Sequence, residues 1–263
     1  MASKFIMTVL CLFVAQHLFS QDIKGVVGRW AIVNITPEQA RELAIEEAKK
    51  EALRRAGVTE RIRATDVLST LETNNRSNQL FSSFSSIELN GAVTQFEVVK
   101  DEREINSLDG QLYAVVTIDA TVKKYETAPD PEFKFNVSGL KSLGYVNGEN
   151  IVFSVHPNKE GYLKIFLFEN SQTAAQVFPN QFETNRLFRA KETVNFPTIV
   201  GIDYRAEKST TDRLEQNWLL LVYTKKDIPF YGETNFQTVL NWVNTIELNE
   251  REVIIESILI SER

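Results

Sequence analysis

The segment 36–57 reads TPEQARELAIEEAKKEALRRAG and carries a strong helix-start signal. Thr36 is a residue type that caps helices, Pro37 suits the first helical turn, and Gln39 completes a capping box. From position 40 an alanine recurs every fourth residue until a glycine ends the pattern. The pattern predicts a helix whose stripe of small side chains packs closely against a sheet.

Strand-like segments lie on both sides of this helix. Val26–Ile35 precedes it, and Ala92–Val99 and Leu112–Val122 follow it, joined by a turn at Leu108–Gln111 that contains the hairpin dipeptide Asp-Gly. Between them, the spacing of apolar residues in 65–87 predicts a short helix, a loop and a second short helix. The order of strand, long helix and hairpin predicts an α+β unit with the helix packed on an antiparallel sheet.

The stretch 127–132, TAPDPE, breaks every periodic pattern. Two prolines cannot join a central β-ladder, and the acidic residues favour exposure to water. We therefore expect an α+β domain over residues 21–127, a linker over 128–134 and a second domain over 135–263.

Short strands dominate the predicted second domain. Four apolar or alternating segments are separated by turn residues: Ile151–Val155, Tyr162–Phe168, Val177–Asn180 and Trp218–Tyr223. The last of these is nearly continuously apolar, which is typical of a central strand buried on both faces.

The last part of the sequence predicts one helix and one further segment that fits either a strand or a helix. Thr234 and Gln237 have capping-box spacing, and the apolar residues that follow fall at helical positions. Val253–Ile260 is apolar on both faces, so a closing strand or a helix fits it. The whole pattern predicts the α+β class, with a mainly antiparallel, sandwich-like β domain that contains one late helix.

The first twenty residues have the composition of a secretory signal peptide. Lys4 precedes the apolar run Phe5–Ala15, and Ser20 is a small residue at a plausible cleavage point. The run is too short for a spanning anchor, and Leu10 before Cys11 does not suit lipid attachment. We expect an exported protein of the periplasm or outer surface of a Gram-negative bacterium, soluble after cleavage and without a transmembrane segment.

Charge and reactive side chains exclude several classes of function. The 263 residues carry a formal net charge of -6, with 35 acidic against 29 basic residues, so we expect no nucleic-acid partner. Removal of residues 1–20 leaves His156 as the single histidine and no cysteine. This inventory predicts no disulfide framework, no zinc or other metal site, no cofactor and no catalytic residue of the Ser-His or Cys-His type. We expect His156 to turn into solvent at a strand end.

Candidate ligand-binding residues come from an aromatic-rich stretch. Tyr162, Phe178, Asn180 and Phe182 could line a site that stacks sugars, although aromatic residues in alternating strands more often fill a core. Dispersed carboxylates of a glycoside hydrolase also fit the composition, but no pair is singled out by the sequence.

The second domain resembles the bacterial family named domain of unknown function 4384. The resemblance rests on residues 161–166 (GYLKIF), 177–180 (VFPN), Asn185, Ala190, Pro197 and the apolar strand before Ile228-Pro229, and it covers about residues 145–262. It implies an envelope or signalling protein of bacteria with no assigned activity. Pro179 and Asn180 suit a strand exit, with a fixed φ and a side chain that bonds its own turn.

The first domain resembles the fold shared by the N-terminal domain of flagellar assembly protein T and the twenty-kilodalton lipoprotein family. This resemblance covers about residues 24–125 and rests on Trp30–Val33, the helix Pro37–Ala56 and the hairpin Gly91–Val122. It implies an envelope scaffold without catalytic residues. We therefore expect a non-enzymatic accessory or adaptor that binds an envelope protein; the alternatives are a glycan-binding or small-ligand-binding β-domain and a hydrolase.

Overall fold

The computed structural model describes residues 20–58, 91–169 and 174–262. The chain forms two compact units that divide after Glu126. Both contain antiparallel strands and a helix, so the predicted α+β class is confirmed. The predicted leader, apart from Ser20, and the predicted helices of 65–87 lie outside the described residues.

In the first unit, the part of the chain that the structure describes forms one helix and three antiparallel strands in the spatial order β1-β3-β2. Their bounds are β1 Ser20–Ala31, α1 Pro37–Arg55, β2 Gly91–Ile105 and β3 Leu112–Lys124. The helix and the hairpin are therefore confirmed. The first strand is shifted relative to its predicted range of 26–35, because the chain leaves the sheet after Ala31 and turns at Asn34, where φ is +56°.

The N-terminus of α1 has the predicted capping box. The Thr36 hydroxyl oxygen accepts a hydrogen bond from the Gln39 backbone N–H (3.2 Å), and the Gln39 side-chain oxygen accepts one from the Thr36 backbone N–H (2.9 Å). Each bond satisfies a donor that the helix itself cannot pair. The helix is thus fixed by residues that lie next to one another in the sequence.

The alanine stripe of α1 lies against the sheet at van der Waals distance. Ala40, Ala44, Ala48 and Ala52 are completely buried. At Gly28 in β1, a Cβ atom would lie 1.9 Å from the Ala44 carbonyl oxygen and 2.6 Å from the Ala48 nitrogen. The helix backbone therefore touches the strand backbone, an approach that only a glycine on the strand and small residues on the helix permit.

The described residues of the second unit form ten strands, one α-helix and one 3-10 turn. The bounds are β4 Phe135–Ser138, β5 Tyr145–Val146, β6 Glu149–Asn150, β7 Phe153–Pro157, β8 Tyr162–Phe168, β9 Ala174–Phe178, β10 Val194–Phe196, β11 Arg205–Ala206, β12 Leu214–Thr224, α2 Phe236–Thr245, the 3-10 turn Leu248–Glu250 and β13 Arg251–Ser261. A five-stranded sheet has the order β5-β13-β12-β8-β9, a three-stranded sheet has the order β10-β7-β4, and β6 pairs with β11.

The two larger sheets share one aromatic core. Phe178 of the five-stranded sheet meets Phe196 of the three-stranded sheet edge to face at 5.2 Å between ring centroids, and Tyr223 contacts Phe135 at 5.4 Å. The predicted central strand is β12, which lies between β13 and β8. A β-rich unit with sheets packed face to face is therefore confirmed.

Helix α2 covers the opposite face of the five-stranded sheet. Phe166 of β8 meets Trp242 of α2 at 5.8 Å, and Phe168 meets Phe236 at 5.3 Å. The predicted helix is confirmed, but its predicted cap was wrong by one residue. The side chain of Asn235, and not that of Thr234, accepts the hydrogen bond that closes the first turn, from the Thr238 N–H (2.9 Å).

The proline-rich segment packs onto the second unit. Phe133 is 1% exposed and stacks on Tyr223 at 5.1 Å, and the Asp130 carboxylate pairs with the Lys225 ammonium at 2.8 Å. Lys225 also holds the pKa of Asp130 down to about 2. The linker predicted for 128–134 thus contributes one side chain to the core, an outcome that its prolines and acidic residues do not indicate.

Candidate functional site

The sequence-predicted ligand residues differ sharply in accessibility. Phe178 is 1% exposed and belongs to the core, so no ligand reaches it in this conformation. Tyr162 is half-buried, and Phe182 is 60% exposed. The structure therefore leaves Tyr162 and Phe182, but not Phe178, as surface aromatics of the candidate set.

Asn180 forms the turn at the exit of β9. Its side-chain oxygen accepts hydrogen bonds from the backbone N–H groups of Phe182 and Glu183, both at 2.8 Å, and its amide nitrogen donates to the Val177 carbonyl at 2.7 Å. The Phe178–Pro179 peptide bond, at the end of β9, is cis. The expected strand exit with a self-bonding asparagine is confirmed, and this use occupies the Asn180 side chain.

Glu183 was not singled out by the sequence, yet it is completely buried. Its carboxylate accepts hydrogen bonds from the Thr198 backbone N–H, from the Thr198 hydroxyl (2.8 Å), from the Tyr204 hydroxyl and from the Asn180 amide (3.0 Å). Burial acts to raise the pKa of Glu183, but these donors together outweigh it and lower that pKa below its ordinary value of 4.5. The Glu183 carboxylate thus links the loop that contains Asn180 to the loop that contains Thr198 and Tyr204 by hydrogen bonds.

A second feature is the outer edge of the five-stranded sheet. Strand β13 pairs with β12 along its whole length, whereas among the described strands β5 alone pairs with its other side, at Ile260 and Ser261. The Lys225 N–H donates to the Glu250 carbonyl (3.0 Å). Because hydrogen-bonded and non-hydrogen-bonded pairs alternate in an antiparallel ladder, every second residue of β13 after Glu250 directs its backbone groups to β12. Consequently the backbone groups of Val253, Ile255 and Ser257 point away from β12.

Other long edges of the described sheets are irregular or charged. Strand β2 has register breaks at Val93/Gln95 and Val98/Lys100 and the charged run 100–104, and β1 has a break at Ile23/Val26. Bulges and charges of this kind prevent an edge from pairing with another chain. In contrast, β13 pairs with β12 without a break, and its sequence from 253 to 260 is VIIESILI.

Glu256 interrupts this apolar strand. It pairs across the ladder with Leu219, a core residue, so its side chain lies on the face that also carries Ile258. The side chain is half-buried, and burial raises its pKa. Within residues 20–58, 91–169 and 174–262, no cationic side chain pairs with this carboxylate.

Part of the second unit matches a known protein family. Residues 144–224 match the model of the family described as domain of unknown function (DUF4384). The resemblance of the second domain is therefore confirmed over β5 to β12, although we expected it to reach residue 262. A search of the curated proteins finds no match to this chain. The resemblance of the first unit to the flagellar and lipoprotein fold stays a prediction.

The DUF4384 segment contains Asn180, Glu183, Thr198 and Tyr204, whereas α2 and β13 lie beyond its end. The buried carboxylate and its donors thus belong to the matched domain. The outer edge of β13 belongs to the part of the second unit that follows the match, so any role of this edge is not implied by the family.

His156 lies on β7, inside the DUF4384 segment, and bonds two neighbouring strand ends. Its Nε2 is 2.8 Å from the Ser138 hydroxyl and its Nδ1 is 3.2 Å from the Thr193 hydroxyl. The ring is half-buried, so the expected solvent-facing histidine was only partly right. A catalytic histidine is usually oriented by a carboxylate, and here hydroxyl groups occupy both nitrogens.

Two features are absent from the described residues. No group of three or more potential metal-ligating side chains was found, and no described helix has the length and hydrophobicity needed to cross a membrane. A shallow surface depression of about 280 Å³ lies on the sheet of the first unit, beside Asp22, Glu97 and Asp119. Asp22 and Asp119 already accept hydrogen bonds from Thr121 and Gly25, respectively.

The buried, hydrogen-bonded Glu183 carboxylate predicts a specific pH dependence of stability. Because folding lowers the pKa of this carboxyl, its contribution is complete above the ordinary value of 4.5 and is lost as the pH falls through the folded value. We therefore expect the stability difference between wild type and Glu183→Gln, measured by urea unfolding, to stay nearly constant from pH 6 to pH 5 and to shrink as the pH falls below 4.5 towards 3. A difference that stays constant down to pH 3 would contradict the assignment.

Proposed function

We propose that this protein is a non-enzymatic, exported accessory or adaptor of a bacterial envelope assembly. It binds a protein partner by accepting an extended strand of that partner along the outer edge of β13. The observation that carries this proposal is the largely apolar strand β13, which pairs with β12 without a break and whose backbone groups at Val253, Ile255 and Ser257 point away from β12. Strand addition of this kind is a recognised mode of peptide binding.

Several features support an interaction role. Backbone hydrogen bonds along an edge provide affinity, and alternating side chains on the added strand provide specificity. The apolar leader-like segment Phe5–Ala15 supports export, and the DUF4384 match supports a bacterial setting of the kind the family implies. The glycan-binding alternative has less support, because Phe178 is part of the core.

The proposal can be tested by crosslinking in intact cells. A photoreactive residue placed at Ser257, which is exposed at the edge, should give a discrete adduct, whereas the same residue at the exposed Tyr231 should not. Ile255→Pro should abolish the adduct, because proline has no N–H to donate to an added strand. Ile255→Ala keeps the N–H and should retain it.

The folded state of each variant is checked by circular dichroism before crosslinking. If a folded Ile255→Pro variant still gives the Ser257 adduct, strand addition at this edge is wrong. Failure to obtain any adduct at Ser257 in a folded wild-type protein would also overturn the proposal.

A further inference from the structure

Glu256 places a carboxylate in the middle of the largely apolar edge strand β13. Its neighbours on the strand are Ile254, Ile255 and Ile258, with Ser257 as the one small polar residue between them. A strand added beside β13 would place one of its residues directly opposite Glu256, at a Cβ separation of roughly 5 Å. The side chain at that position therefore meets a carboxylate rather than a hydrocarbon surface.

An added strand makes the environment of this carboxylate less favourable unless it supplies a cation. Glu256 is already half-buried, and burial raises its pKa. Covering the edge removes more water, which increases the cost of the charged form. A cation on the added strand offsets this cost, whereas an apolar or acidic residue leaves a buried charge unpaired.

We infer that the partner strand carries a lysine or arginine opposite Glu256, flanked by alternating apolar residues. This inference rests on the proposed docking at β13 and names the chemistry of the occupant. The apolar positions would lie beside Val253 and Ile255 on one face and beside Ile254 on the other. Charge thus selects both the partner and the register of the added strand, because a shift of one residue turns the cation to the other face.

The occupied end of the edge limits the length of the added strand. Strand β5 pairs with Ile260 and Ser261, so a second strand ends before this point. The outward backbone groups at Val253, Ile255 and Ser257 define the available span. A partner segment of about seven residues covers it at roughly 3.3 Å per residue.

The test uses the full chain and labelled heptapeptides, with binding followed by fluorescence anisotropy. The peptides alternate threonine and valine and differ only in the central residue, which is lysine, glutamine or glutamate. We expect the lysine peptide to bind most tightly and the glutamate peptide to bind about five-fold to ten-fold more weakly. Glu256→Lys should reverse this order, whereas Glu233→Lys, the same change on an exposed loop, should preserve it.

The outcomes separate the two proposals. If all three peptides bind wild type equally and Ile255→Pro abolishes their binding, docking at the edge stands and the charge pairing with Glu256 is wrong. If no peptide binds the folded wild-type protein, both the docking mode and the charge pairing are overturned. An order of affinities that Glu256→Lys leaves unchanged also contradicts the pairing.

Discussion

Replacing Glu183 by alanine is expected to destabilise the second unit by about 3–5 kcal/mol. The carboxylate is completely buried and accepts hydrogen bonds from Asn180, Thr198 and Tyr204. Its removal leaves these donors in a site without an acceptor, and each buried unsatisfied donor costs about 1–3 kcal/mol. The loss should appear as a lower midpoint in urea unfolding followed by fluorescence of Trp218 and Trp242.

Two matched variants make this expectation specific. Glu183→Gln keeps the volume and one acceptor oxygen, so its effect should be smaller than that of alanine. Glu132→Ala removes a carboxylate that is 76% exposed and pairs with Lys159 at the surface, so stability should change little. Equal urea midpoints for Glu183→Ala and Glu132→Ala would show that the hydrogen bonds of the buried Glu183 carboxylate do not stabilise the folded protein.

Replacing Gly28 by valine is expected to cost the first unit about 3 kcal/mol or more. A Cβ at this position would overlap the Ala44 carbonyl at 1.9 Å, and that atom belongs to the helix backbone and cannot rotate away. The helix must therefore move off the sheet and expose its alanine stripe. Hydrogen exchange measured by mass spectrometry should show faster exchange in α1, with the second unit protected as in wild type.

The neighbouring position provides the control for this variant. Val27 is 40% exposed and lies on the opposite face of β1, so Val27→Ala should leave exchange in α1 nearly unchanged. If Gly28→Val also leaves α1 as protected as in wild type, the close packing of helix and strand is wrong.

Local signals explain which elements were predictable. The cap of α1 and its alanine period depend on residues within one or two helical turns, so both were visible in the sequence. The cap of α2 was misplaced because Thr234 and Asn235 are both good capping residues, and the backbone decides between them. Segment 253–260 was ambiguous because apolar residues on both faces suit a strand or a helix; its pairing with β12, distant in sequence, makes it a strand.

The candidate sites depend on contacts between distant residues. Glu183 follows an exposed phenylalanine in an ordinary polar loop, and two of its donors, Thr198 and Tyr204, come from another loop. Phe182-Glu183 therefore offers no local pattern to recognise. The place of β13 near the edge of the described sheet depends on the order of its strands, which the sequence of any single strand does not contain.

The position of Glu256 also bears on whether copies of the protein polymerise. An apolar strand with an open side is a template for amyloid-like growth, in which identical segments stack in register about 4.8 Å apart. Such stacking of β13 would align Glu256 of each copy with Glu256 of the next, producing a column of like charges. The acidic residue that would admit a basic partner thus disfavours fibrils built from the protein itself.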